Sequence, residues 1–413
     1  MKRFEEVYAF IYVDALPLEY VNPNATPHLF KLMCSGSFHV LKNIPGYSFG
    51  IQSTVLSGKL PQDTLHWMPY MFKTDKKVQL INLLRSVCEY NPLICNDITK
   101  KFLYTFRSKK NRAMGFLYEG SLYVSTFQRA KSAKLLGLPP DHFGKILVFP
   151  YYYMNENPFF IALKKHLEEN FDIRVHYLGH SLSKNIEGLS TILHKAAETP
   201  KLLLFEYIDD LDRIGHGKGV ASREWFDVLK LIETFIYRIY KDLSTVSRRI
   251  KVMVFSDHGM CNADEYIDLE GLLVNKLPRE SIGYFIDATL AFIRVYKSPL
   301  KDLISELLTK KLGNRILIFD VEKDKDTLRK YGIYFANGEY GDIIVQTRPC
   351  KEFFPNFYSV THKLIGLHGF WPTETLQRAF VIEFPMEGSR KYENRIKPSH
   401  INELRAHMIN SLN

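Results

Sequence analysis

Seven side chains scattered through the chain carry oxygen or imidazole donors where a strand end or a tight loop could deliver them to one pocket. Asp14 follows the apolar run VYAFIYV, Ser48 lies in GYSFGIQSTVLSG, and Asp212 and His216 sit in DDLDRIGHGKG. Asp257 and His258 close VMVFSDHGM, and His368 lies in IGLHGFWP. Carboxylates mixed with imidazoles suit two divalent cations, Zn2+ first and Mn2+ nearly as well, and a hydroxyl among them is the group such cations activate as a nucleophile. The chemistry implied is phosphoryl transfer.

Spacing supports one centre over seven unrelated residues. Asp212 and His216 form D-x-x-G-H-x-x-G, in which Gly215 and Gly219 let the backbone turn so that the two side chains meet. Ser48 precedes Ile51, Val55, Leu56 and a stopping Gly58, which predicts a helix beginning at the serine. Free amides and the positive end of the helix dipole there favour an alkoxide and a bound phosphoryl anion. Alone, Ser48 reads as a helix N-cap and an Asp-His pair as ordinary loop polarity. Two such pairs, a further HG at His368 and an Asp ending the first strand together point to a metal site.

The elements that would position these residues alternate strand and helix. Val7 to Val13, Ile146 to Phe149, Leu202 to Ile208 and Val252 to Phe255 read as buried parallel strands whose C-terminal ends carry the chemistry. Trp225, Leu229, Ile232, Ile236 and Ile239 recur at helical spacing behind a candidate N-cap, Ser222. The fold class expected is α/β, a three-layer αβα arrangement around a mostly parallel, doubly wound sheet. Residues 1–66, 145–271 and 358–413 would form the core, 67–144 a basic and mainly helical insertion, and 272–357 a small α+β cap.

In the order of these motifs the chain resembles the type I phosphodiesterase/nucleotide pyrophosphatase family of the alkaline phosphatase superfamily, over roughly residues 7–66, 145–265 and 360–386. The resemblance implies that fold, and it puts Ser48 in the place of the family's usual threonine nucleophile. It further implies one zinc held by Asp14, Asp257, His258 and the Ser48 hydroxyl, and another held by Asp212, His216 and His368. SFGIQSTVLSGKLP lines up on the family's nucleophile helix and following turn, and GDIIVQTRP and RAFVIEFP resemble the segments flanking its last histidine motif. One departure stands out: where the family continues H-G-I and then an asparagine that donates to a phosphoryl oxygen, this chain reads TLHWMP, with Pro69 at the asparagine position. Proline has no donor, so His66, Trp67, Tyr70 or the Lys-rich insertion is expected to replace it.

The bulk numbers leave partners open. A net charge of +10 makes anionic partners plausible and selects none of them. A small phosphorylated substrate fits the donors; a basic nucleic-acid-binding protein would leave them unexplained, and a phosphomonoesterase or phosphomutase of the same superfamily would share them. Five cysteines without a CxxC pair predict no disulfide framework and a reducing compartment. Glu5 and Glu6 interrupt the leader-like start, and no apolar run approaches the roughly 20 residues of a membrane span, so a cytoplasmic location is expected.

Overall fold

The computed structural model describes residues 4–68, 70–72, 146–148, 154, 157–179, 200–247, 249–278, 281–297, 299–356, 362–384 and 397–412, with most of 181–189. The Lys-rich run of the expected insertion and Pro69 lie outside the described residues. At the centre is a six-stranded sheet in the spatial order Ser37–Leu41, Ala379–Phe384, Ile250–Ser256, Glu6–Val13, Lys201–Ile208, Ile173–Tyr177. The last four run parallel, while Ala379–Phe384 is antiparallel to both of its neighbours. Side chains alternate across a strand, so one run serves two cores.

On one face, Val7, Ala9, Ile11 and Val13 pack with Leu202, Leu204 and the helix Arg223–Val246, which contributes Leu229, Ile232, Ile236 and Ile239. Ser222 caps that helix by accepting from the Trp225 amide at 3.2 Å, worth about 1 kcal/mol. On the other face Tyr8, Phe10 and Tyr12 pack with Ile51, Val55 and Leu56 of the helix Ser48–Ser57. Helices on both faces of a largely parallel sheet make the three-layer α/β architecture expected. The apolar run at residue 146 departs from expectation: Ile146–Val148 pairs antiparallel with Tyr70–Phe72, outside the main sheet. Ile173–Tyr177 takes the sheet edge instead. A short apolar run states burial without naming its partner.

A second, antiparallel sheet orders its strands Ile282–Ile286, Leu290–Val295, Ile343–Thr347, Ile316–Asp320. Ile304, Leu308 and Leu312 of the helix Leu300–Leu312 cover one face. The other face, through Phe285, Leu290, Phe292 and Ile344, packs on Trp67 and Tyr340 and so supports the segment that follows the Ser48 helix. Gly50 is what lets that segment close in, because a Cβ there would lie 2.4 Å from the Trp67 carbonyl oxygen.

The cysteine expectation is corrected. Cys261 and Cys350 form a disulfide with their Cα atoms 5.6 Å apart, joining positions separated by 89 residues, whereas Cys34 is free and exposed. Neither an odd count nor the lack of CxxC excludes a long-range pair brought together by the fold. Among the described residues no helix is long and apolar enough to cross a membrane.

Glu206 is an anomaly in the Lys201–Ile208 strand: it is fully buried, neither carboxylate oxygen has a hydrogen-bond partner, and burial holds its carboxyl well above the usual range. A raised folded-state pKa gives stability that is complete below the unfolded value near 4.5 and is lost as pH rises through the folded value. Urea denaturation of Glu206→Gln between about pH 5 and 8 should therefore show a shallower loss of stability with rising pH than the parent; an equal slope contradicts this.

Candidate active site

Asp14 is the first residue beyond the central strand, and its amide still donates to the Ile208 carbonyl at 2.9 Å, which fixes the carboxylate at the C-terminal edge of the sheet. Asp257 and His258 follow the neighbouring strand Ile250–Ser256 in the same way. Ser48 opens its helix as the first residue, with Tyr47 at the cap position. These three elements meet at the serine: its Oγ donates to Asp14 Oδ1 at 3.0 Å and lies 3.0 Å from His258 Nε2. His258 Nε2 is also 3.3 Å from Asp257 Oδ2 and 3.7 Å from Asp14 Oδ1.

The second group lies alongside. Asp212 and His216 stand one turn apart on the helix Asp210–Lys218, and His368 arrives from a loop beyond the two-residue strand Gly366–Leu367. That strand pairs with Cys261–Asn262, just beyond His258, and so ties the two groups together. His216 Nε2 and His368 Nε2 approach Asp212 Oδ1 to 3.4 and 3.2 Å, and lie 3.0 Å from each other. The His216 Nδ1–H donates to the Gly366 carbonyl at 2.8 Å, which leaves Nε2 as the lone-pair nitrogen. The rings of His258 and His368 stack at 4.1 Å and join the two groups. The ligand atoms of Asp14, Asp257 and His258, and those of Asp212, His216 and His368, each fall within 4.8 Å of one another.

The electrostatics fit cations. Asp212 Oδ1 is buried without a hydrogen-bond partner although two ring nitrogens face it, the arrangement of lone pairs converging on a positive ion. Burial, then the charges of Asp257 and Asp212, push the Asp14 carboxyl well above the usual range. Burial would also raise Asp212, but the His216 imidazole, itself held above its usual range by this carboxylate, outweighs it and keeps the carboxyl well below. Burial, then the adjacent His258, pulls His368 down to about 3, a neutral ring suited to ligation.

With this geometry, comparison with known proteins decides the family. The model for type I phosphodiesterase/nucleotide pyrophosphatase matches residues 8–371. The chain belongs to this family. It is a phosphoric ester hydrolase. Among solved structures it is similar to human ectonucleotide pyrophosphatase/phosphodiesterase 5, with 14% identity, 99% of this chain and 95% of that chain covered, and a TM-score of 0.63. The murine protein of the same name gives 13% identity over the same coverage and a TM-score of 0.62, and an inactive variant of it in complex with AMP gives 13%, the same coverage and 0.61. No curated protein matches the chain.

Of the three residues considered as replacements for the family asparagine, Trp67 is excluded. It is completely buried in the core beneath the second sheet, and its one donor, the indole N–H, is spent on the Pro45 carbonyl at 2.7 Å. His66 is half-buried, with its ring parallel to that of Phe49 at 6.4 Å and edge-on to Phe159 at 4.9 Å. Tyr70 lies in a strand, with its side chain outside the described residues.

Several functional neighbours went unread in the sequence. Tyr12 donates to Asp257 Oδ2 at 2.8 Å, and Tyr207 donates to Asp14 Oδ2. Tyr47 receives the Thr289 amide at 2.7 Å, and the Thr289 hydroxyl donates to the His368 carbonyl at 3.0 Å, so the second sheet clamps the serine helix to the last histidine loop. The signal available was the two-residue period: Tyr12 and Asp14 share a face of the extended chain.

Cations held by these donor groups would compete with protons for them, so stabilisation by metal should grow with pH. The raised Asp14 carboxyl means that the metal-free protein loses stability as pH rises through its folded value, which widens the contrast. Thermal unfolding with Zn2+ at about a hundredfold excess over Kd should gain roughly 2.7 kcal/mol per site at pH 8 and clearly less at about pH 5. A gain independent of pH, or none, contradicts the ligand assignment.

Proposed function

We propose that this hydrolase cleaves phosphodiester or pyrophosphate bonds of small phosphorylated substrates, with Ser48 as the nucleophile and two divalent cations, Zn2+ by preference, at the two ligand groups. The observation that carries this reading is Ser48 Oγ, 3.0 Å from both Asp14 Oδ1 and His258 Nε2 at a helix N-terminus. Bound cations would lower the pKa of the hydroxyl and neutralise charge on the phosphoryl oxygens. Asp14 and His258 hold the serine oxygen in one orientation, and the Ser48–Ser57 helix turns its free amides and positive end towards the incoming phosphoryl group. Ser48 then attacks phosphorus in line, the leaving alcohol or phosphate departs, and water hydrolyses the phosphoserine.

Charge balance favours diesters over monoesters. Three aspartates against two dications leave one net positive charge while the Ser48 hydroxyl is protonated, which matches the single negative charge of a bound diester. The AMP complex of the murine relative makes nucleotides the first substrates to try. In this reading residues 1–66, 145–271 and 358–413 form the catalytic core, and 272–357 serves as the cap that carries Thr289. The Cys261–Cys350 bridge supports an oxidising compartment in place of the cytoplasmic setting expected from sequence.

With metal saturating, Ser48→Ala should lower hydrolysis of bis(p-nitrophenyl) phosphate on the order of a thousandfold or more, while Ser48→Thr retains turnover. Activity in Ser48→Ala equal to the parent removes Ser48 from the role. Faster turnover of p-nitrophenyl phosphate than of the diester would instead favour the phosphomonoesterase reading.

A further inference from the structure

We propose that Tyr12 and Tyr207 are paired positioning residues that orient the two carboxylates of the serine-side group, making that group the tighter of the two cation sites. The inference rests on the two-metal reading above. Tyr12 and Tyr207 stand directly opposite each other on the parallel strands Glu6–Val13 and Lys201–Ile208. Their rings meet edge to face at 5.1 Å, and both side chains are buried. Tyr12 OH donates to Asp257 Oδ2 at 2.8 Å; Tyr207 OH donates to Asp14 Oδ2.

A buried phenol needs an acceptor, so these bonds could in principle serve the tyrosines alone. The register argues otherwise. Two residues earlier on the same strands and the same face, the opposed pair is Phe10 and Phe205, both buried without a hydroxyl. Aromatic packing is therefore satisfied by phenylalanine in this layer. Four residues back, Tyr8 faces Leu203 and gives its hydroxyl to Glu6, so opposed phenols on these two strands occur where the strands reach the carboxylates.

Their effect follows from what each carboxylate has left. Asp14 Oδ2 is held by the phenol, which leaves Oδ1 facing Ser48 and His258. Asp257 Oδ1 is held by the amides of Ala15 and His258, at 3.2 and 3.0 Å, and its Oδ2 is steadied by Tyr12 while facing His258 Nε2. Each aspartate thus offers one inward oxygen in a fixed direction, and each phenol stabilises negative charge next to its like-charged neighbour. In the other group Asp212 Oδ1 faces the ring nitrogens of His216 and His368, at 3.4 and 3.2 Å, and among the described residues no phenol donates to this aspartate. Outer partners of metal ligands are typically worth 10- to 100-fold in affinity, so the two sites should bind unequally.

The test is titration of metal-free full-length protein with Zn2+ against a chromogenic chelator, for the parent, Tyr12→Phe and Tyr207→Phe, with thermal unfolding of each metal-free form as a check on folding. The parent should bind two equivalents of unequal affinity. Each variant should weaken the tighter site about 10- to 100-fold, leave the weaker one unchanged and keep the metal-free unfolding midpoint. Two equivalents bound by the variants as by the parent would overturn the inference and leave the proposed function standing. Equal weakening of both sites would overturn it too, by showing a general structural role. A parent that binds no Zn2+ would remove the two-metal reading itself. The variants sit on separate strands, so either one that folds decides the matter.

Discussion

Asp14 and Asp257 bring their ligand oxygens within 4.8 Å of each other in a buried pocket, and Asp212 adds a third carboxylate beside two more imidazoles. Two unit charges at that separation repel by roughly 3 to 4 kcal/mol at the effective dielectric of protein sites. Backbone amides and phenols offset part of this, and the ring nitrogens of His216 and His368 converge on one oxygen of Asp212, a donor set that suits a cation. The rest of the molecule can be understood as a frame that keeps these groups together against their repulsion, as a cation site would require.

The frame works through strand ends. Parallel strands with both faces buried have little freedom to shift register, so residues just past their C-termini are held in place. Asp14 and the Asp257–His258 pair inherit that rigidity directly. Ser48, Asp212 and His216 come from helices packed against the same sheet, and His368 comes from a loop held by the short ladder from Gly366 and Leu367 to Cys261 and Asn262, by the hydroxyl of Thr289 and by the side chains of Gln346 and Gln377. Through Thr289 and Tyr47, the second sheet ties the Ser48 helix to the His368 loop as well as covering the core.

Much of this was legible because the chemistry demands unusual residues at the ends of ordinary elements. A carboxylate or imidazole after a β-branched run is conspicuous, and Asp14, Asp257 and His258 stand out for that reason; Gly215 and Gly219 mark the turn that brings Asp212 and His216 together. Tyr12 and Tyr207 were hidden because, inside an aromatic strand, a tyrosine reads as core, and only its cross-strand neighbour reveals what its hydroxyl meets. Trp67 misled in the opposite sense, since an indole near a nucleophile helix has a donor whose target depends on packing that sequence does not show. The Cys261–Cys350 pair and the partner of Ile146–Val148 were out of reach for the same reason: both are long-range pairings with no local pattern.

Anomalous diffraction at the zinc absorption edge, on crystals grown with Zn2+, tests the central claim most directly. The account requires two peaks, one enclosed by Asp14, Asp257 and His258 and the other by Asp212, His216 and His368, with Ser48 Oγ reaching the first. A single peak elsewhere, or none at full zinc loading, would contradict it.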